Sequence, residues 1–528
     1  SKFYYCNFIL WIDHLSISPL ISHSSLTRCW FTRPPLSMLQ WLVLAGGMLS
    51  AVVHIIVEGL ANAALSMLPI LVVAAVVYKY VESKQRVVHT GGRVSKQFEP
   101  VFKAFRENFR SGWERDGAAF AVFQNGEMVV DIWGGHADRE SHRLWKENTM
   151  NVAFSSSKAM GALCIALLVD RGQLKYEDKV VKFWPKFGKN GKENVTVQMV
   201  MSHTAGLALV SKRITMEDGF DHVRMAQHFE DQTPNWEPGT EVGYHALTYG
   251  WLVDQIVRRV DPKGRSLGRF FEEEFAMPYD IDFHIGLPLS ESHRVSRLSR
   301  PTLWDRICEF ITDPQNVDYG HVVREIITGG LMFKVGSNPD WLNSVFRMPM
   351  NNPDLYVMEQ CALSGIGTAR AMAKLFDLVR REKIISKATL DFLSRPVVHE
   401  SQKDIVTGAH VARGHGLTHL YHTDKAGRKL LLLGHAGLGG QNIRIDRVNG
   451  LTFAYVSNGL KGGLGDRART YVRLIDALYK CIPLKEDLSD ARSPAVSPSG
   501  PKVTTAKSAT TTTTNGCSTT PMSPLKAH

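Results

Sequence analysis

"NVAFSSSKAMGALC", residues 151–164, sets three serines and a lysine ahead of a run of small and apolar residues. Two readings compete for it. Serine is favoured at a helix start, where its hydroxyl accepts an unpaired backbone N–H. Equally, Ser155 and Lys158 stand one turn apart and would share a helix face. A lysine in apolar surroundings loses affinity for its proton and becomes able to take or relay a serine proton. A helix start would add its dipole and free N–H groups at the same place. The spelling alone decides nothing, because Ser-x-x-Lys recurs at Ser499–Lys502 and at Ser523–Lys526.

Both repeats fall in residues 487–528, a stretch dominated by Ser, Thr, Pro and Ala. Such a composition buries too little apolar surface to offset chain entropy, so a disordered tail is expected there. A nucleophile needs a rigid setting, which removes these two matches. At the other end, residues 1–37 show no helical or strand period, and Met38 is an alternative start. Residues 38–80 then turn strongly apolar. Leu60 to Tyr78 carries only Asn62 and Ser66 as clear polar interruptions, long enough to cross a bilayer. Trp41 to Val57 is a second apolar piece, so one or two spans fit. Lys79, Lys84, Arg86, Arg93 and Lys96 follow, which by the positive-inside rule puts the catalytic part in the cytosol.

The remainder, 88–486, is one enzyme-sized globular unit in a chain of 528 residues with 44% hydrophobic and 21% charged residues. The net charge of +11 is scattered, without a zinc-finger or RNA-binding signature. Nucleic acid is therefore not an expected partner, and membrane lipid is the better one. Seven cysteines lack paired spacing, so no disulfide frame, metal or cofactor is expected.

Within this unit, "GAAFAVFQNGEMVVDIWGG" (117–135) reads as a hairpin turning at Asn125-Gly126. Helical periods follow at 158–174, 195–207 and 245–260, and strands with Gly-rich turns return over 429–459. Strands at both ends with helices between predict an α/β (α+β) fold, its sheet built from N- and C-terminal parts around a mostly helical insert.

Two other motifs compete for the chemistry. "GRSLG" (264–268) matches a nucleophile elbow, but the residues before it are helical rather than strand-like, so Ser266 reads as a loop serine. His415, His419 and His422 in "HGLTHLYH" would need one common face to hold a metal. On a strand they alternate, and satisfied or surface histidines are expected instead.

Ser155-x-x-Lys158 is followed in order by Tyr244 in "PGTEVGYHALTYGWLVDQIVRR" and by His435-Ala436-Gly437 in "GHAGLGGQ". With "MSHTAGL" (201–207) and "DFHIGLP" (282–288), these elements resemble the serine β-lactamase and penicillin-binding-protein superfamily. The resemblance spans about residues 95–480. It is strongest to the branch of class C β-lactamases, D-Ala-D-Ala carboxypeptidases and family VIII carboxylesterases, and to animal β-lactamase-domain-containing proteins.

That resemblance implies a β-lactamase-like fold and an acyl-enzyme formed on Ser155. Lys158 and Tyr244 would share the base role, the lysine's charge lowering the phenol's pKa. The N–H groups of Ser155 and of Leu438, just after Gly437, would form the oxyanion hole. Two departures bear on substrate. Ala246 stands where the family's Tyr-x-Asn has its amide, and His435 replaces the Lys of Lys-Thr-Gly. Histidine is a weaker, pH-dependent cation, free instead to donate to Tyr244 or the substrate. Both argue against efficient β-lactam hydrolysis and leave small ester or peptide substrates. A membrane-anchored serine hydrolase, single-pass, is the leading expectation. A non-catalytic or weakly catalytic membrane-associated scaffold is the alternative, and homo-oligomerisation stays open.

Overall fold

In the computed structural model, Asn125 and Gly126 take φ of 52° and 97°. These paired left-handed conformations let a two-residue turn follow the twist of its strands. They join β2 (Gly117–Gln124) to β3 (Glu127–Asp138), beside β1 (Thr90–Val94). From the C-terminal part come β4 (Ala412–Arg413), β5 (Thr418–Thr423), β6 (Lys429–Ala436), β7 (Asn442–Asp446) and β8 (Leu451–Ser457). They run antiparallel in the order β1-β3-β2-β8-β7-β6-β5-β4. Two-residue strands, Arg143–Leu144 and Ser523–Pro524, add to β3 and β1. The pairing of β2 with β8 joins the N- and C-terminal halves. The structure describes residues 38–85, 88–314, 319–343, 347–424, 427–462, 465–483 and 523–524. Residues 1–37 and most of the predicted tail, including Ser499, Lys502 and Lys526, lie outside these.

Alternation along the central strands divides the core in two. Ala118, Phe120 and Val122 of β2, with Leu451, Phe453 and Tyr455 of β8, face one side; Ala121, Phe123, Ala454 and Val456 face the other. Both faces are apolar because both are covered.

The principal helices are α1 (Met38–Gln85), α2 (Glu99–Arg110), α3 (Ser157–Asp170), α4 (Thr248–Val260), α5 (Leu303–Thr312), α6 (Tyr319–Thr328), α7 (Leu331–Ser337), α8 (Ala369–Arg380) and α9 (Arg469–Lys480). Helices α2 and α9 cover the first face. Helix α8 and the helical insert, with α3 and α4, cover the second. Helix α3 is apolar all round and accordingly buried from Ser157 to Leu168. The helix expected over 195–207 shrinks to Val197–Met201, because His203 and Gly206 take φ of 66° and 71° and turn the chain away.

The chain divides into two units, residues 1–82 and 83–528. Trp41–Val57 and Leu60–Tyr78 lie on the single helix α1. Its segment Ala45–Tyr78 is, among the described residues, the one stretch long and apolar enough to cross a membrane.

Candidate active site

The three serines of the opening stretch have three different surroundings. The short strand Asn151–Val152 leads into a 3-10 turn, Phe154–Ser156, which runs on as α3. Phe154 takes φ of 45°, unusual for a bulky residue, and turns the chain sharply just before Ser155. Ser156 occupies the cap position of α3 yet makes no capping bond; its hydroxyl donates to the carbonyl of His435 at 3.1 Å. The Ser157 hydroxyl accepts the N–H of Gly365 at 3.1 Å. Only Ser155, half-buried, turns its hydroxyl toward Lys158 and Tyr244.

Lys158 is fully buried. Its Nζ lies 2.8 Å from the carbonyl oxygens of Ala246 and Ala362 and 3.3 Å from Ser155 Oγ. An ammonium has three donors; two are spent on carbonyls, so the third position faces Ser155. In the neutral amine that position is the lone pair. Burial lowers the pKa of Lys158 to about 7, with the nearby Arg413 guanidinium acting in the same direction, so both forms are populated near neutrality. Ala246 therefore contributes its backbone carbonyl to the site.

Tyr244 is hydrogen-bonded to Ser155, and its ring lies 4.8 Å from Lys158 Nζ. The expected lowering of its pKa by the lysine does not hold. Burial dominates and pushes the phenol up to about 12, against the Ser155 hydrogen bond and Arg413, which act the other way. Tyr244 is thus protonated at neutral pH.

Its setting is built by residues that sequence reading passed over. Asp404 Oδ1 accepts the N–H of Tyr244 at 3.2 Å, and also those of Val406 and Thr407. The other carboxylate oxygen accepts from Arg413 at 2.8 Å, a buried ion pair. The Arg413 guanidinium lies 5.0 Å from the Tyr244 ring centroid. On another side, the His203 ring lies 4.9 Å from that of Tyr244, and His203 Nδ1 accepts the N–H of His245. His245 bridges the Gly243 carbonyl and the Leu207 N–H, which fixes its tautomer. Burial holds both histidines neutral, His245 at about 4 and His203 well below the usual range. "SHTAG" carried a signal for His203; nothing local marked Asp404 or Arg413.

His435, at the end of β6, stacks near Tyr244 at 6.2 Å. Burial, followed by the Lys158 charge, drives its pKa well below the imidazole range. Its Nδ1–H donates to the Ala436 carbonyl at 2.7 Å, leaving Nε2 buried and without a partner among the described residues. Two expectations are corrected: His435 is not a cation, and its one proton is not free for Tyr244 or a substrate. Nε2 is an acceptor. Gly437 follows, and a Cβ there would come within 2.5 Å of the Ala153 carbonyl, so only glycine allows this approach to the turn that carries Ser155. Leu438 opens the 3-10 turn Leu438–Gly440, where a backbone N–H has no intrahelical partner.

The rival motifs lie elsewhere. Ser266 caps the short helix Leu267–Phe271 by accepting the Arg269 N–H. His415 bonds Gln198, His419 bonds the Leu393 carbonyl, and His422 stacks on Tyr479. Two cavities, of about 710 Å³ around Asp282 and about 660 Å³ around Arg259, include none of Ser155, Lys158, Tyr244 or His435.

The family profile described as Beta-lactamase matches residues 105–477. Esterase/beta-lactamase LipL of Mycobacterium tuberculosis (strain ATCC 25618 / H37Rv) is 32% identical over 378 residues, 70% of this chain and 83% of that protein. A solved family VIII carboxylesterase superposes with a TM-score of 0.63 at 29% identity, covering 74% of this chain and 99% of its own. A penicillin-binding protein homologue from Caulobacter crescentus gives 0.62 at 30%, with the same coverage. The chain belongs to the β-lactamase family, in the serine β-lactamase and penicillin-binding-protein superfamily, and is a serine hydrolase.

Proposed function

We propose that this chain is a membrane-anchored hydrolase that cleaves ester or amide bonds through an acyl-enzyme on Ser155. The observation that carries the reading is Lys158, with two donor positions taken by carbonyls and the third aimed at Ser155 Oγ. Lys158, at about 7, is matched to a base working near neutral pH. Tyr244, at about 12, holds its proton and acts as donor and relay rather than as first base.

As Ser155 Oγ bonds to the substrate carbonyl carbon, its proton passes to Lys158. The carbonyl oxygen gains the negative charge and is held by the N–H groups of Ser155 and Leu438. The carbon–leaving-group bond breaks, and the leaving oxygen or nitrogen takes a proton from Lys158 through Tyr244. Water then attacks the acyl-enzyme and yields a proton to Lys158. The acid departs as Ser155 Oγ regains its proton.

Esters are favoured over β-lactams. Ala246 offers no side-chain amide, and a neutral His435 gives no charge to bind a substrate carboxylate. The relatives include Esterase EstB of Burkholderia gladioli, and LipL, whose name carries both esterase and beta-lactamase. Helix α1 supplies a single-pass anchor, with the basic flank from Lys79 facing the cytosol.

A fluorophosphonate probe should label the purified protein at Ser155, with turnover of short acyl esters. Labelling unchanged in Ser155→Ala would end the catalytic reading and favour a scaffold. Resistance of the full chain to carbonate extraction from membranes checks the anchor.

A further inference from the structure

Helices α5, α6 and α7 have two unlike faces. Inward, the carboxylate of Asp305 pairs with Arg115, and buried Glu309 accepts from the Gly462 N–H and the Tyr319 hydroxyl. Glu325 accepts the N–H of Met332. Val335 of α7 is buried in a small cluster with Ala208 and Val406, against which Leu331, Met332, Tyr244 and Ala246 pack. The insert thus reaches the wall of the Ser155 site.

Outward, the picture reverses. Leu303, Ile307, Phe310 and Ile311 fall at helical spacing on α5 and are exposed, Leu303 by 76% and Ile311 by 71%. On α6, Val323 and Ile327 do the same, Ile327 by 78%. Lone exposed apolar residues are ordinary, but four at helical spacing on α5, with two more on α6, mark an interaction surface. The carboxylates of Asp305 and Glu309 are spent inward and that of Glu325 on the Met332 N–H, while Arg324 and Lys334 are exposed. Exposed apolar residues with exposed cations, beside acids already paired within the fold, suit the interface of a bilayer with anionic headgroups. The same chain carries the apolar helix α1, joined to β1 in sequence by residues 86–89 alone.

We propose that the outer face of α5 and α6 docks on the membrane surface, so that the Ser155 site works on acyl esters resident in lipid. The substrate half of this inference rests on the hydrolase reading; the docking half does not. A bilayer, rather than a second copy, is the occupant.

The domain without α1 is suited to the test, because the solved carboxylesterase relative is covered over 99% of its chain by 74% of this one, and residues 83–528 form their own unit. Residues 88–483 are mixed with vesicles of phosphatidylcholine and phosphatidylglycerol carrying a long-chain diacylglycerol. The expected result is co-sedimentation of the wild-type domain. A Phe310→Asp, Ile311→Asp, Ile327→Asp variant should partition on the order of a hundredfold less. It should hydrolyse a soluble short-chain ester at the wild-type rate and lose diacylglycerol turnover. Slowed amide exchange over 303–328 of the wild type on vesicles checks docking without any variant. Equal partitioning of both proteins overturns the proposal. So does a concentration-dependent dimer that the substitutions abolish while vesicles stay unbound. Absence of short-ester turnover in both proteins would instead sink the hydrolase reading, with sedimentation still deciding the docking.

Discussion

The hydroxyl of Ser156 donates to the carbonyl of His435 at 3.1 Å, tying the turn that carries Ser155 to the end of β6. The neighbour of the proposed nucleophile thereby sets the distance between the two proposed oxyanion donors. Ser156→Ala leaves that buried carbonyl short of a partner and should cost about 1–3 kcal/mol of stability. It should lower kcat while Ser155 still takes the fluorophosphonate label. Ser155→Ala should do the opposite, losing the label and all turnover with little change in Tm. Thermal melts and intact-mass labelling of the two variants separate these roles.

Lys158 predicts two pH dependences. In the proposed mechanism the neutral amine is the active form, so kcat/KM should rise with pH along a limb near 7. For stability, the folded pKa lies below the lysine's ordinary 10.5. Between about 7 and 10.5 the unfolded chain therefore holds a proton that the folded protein does not. Unfolding free energy attributable to Lys158 then increases with pH through this window. Denaturant titrations of wild type and Lys158→Met should show a difference that shifts in favour of wild type as pH rises.

Asp404 is expected to matter twice, through the N–H of Tyr244 and through Arg413. Asp404→Ala strands a buried guanidinium and should destabilise by about 3–5 kcal/mol. Asp404→Asn keeps an acceptor for the Tyr244 N–H and should fold better. Its kcat should fall less than its stability suggests, as measured by melts alongside ester turnover.

Gly437→Ala forces a methyl toward the Ala153 carbonyl. Displacing Leu438 from the oxyanion should lower kcat by about 100- to 1,000-fold, corresponding to ~3 kcal/mol, with KM nearly unchanged. A rise in KM of similar size would show that the clash is felt at substrate binding instead.

The sheet and the family motifs, in their order, were readable because their signals are local. Asn125-Gly126 specifies its turn without distant help, and Ser155, Tyr244 and His435 sit in short diagnostic runs. Asp404 and Arg413 were not readable, since their meaning comes from contact with a tyrosine far away in sequence. The direction of the Tyr244 shift failed for the same reason: a neighbouring cation can be guessed from sequence, but the depth of burial that outweighs it cannot. The apolar residues of α5 look like core residues until the fold turns them outward.

The pairing of β2 with β8 also governs when this enzyme can come into being. Phe120 lies opposite Tyr455, so the middle of the sheet is empty until almost the whole domain has left the ribosome. By then the apolar segment of α1 has long been synthesised. Contacts this distant in sequence slow folding and leave strand edges open in the meantime. A chain stopped short of Leu451 would keep Ser155, Lys158, Tyr244 and His435 and still lack the strand that unites the two halves of the sheet. Late nonsense mutations should therefore yield aggregating, inactive protein even though Ser155, Lys158, Tyr244 and His435 are all encoded.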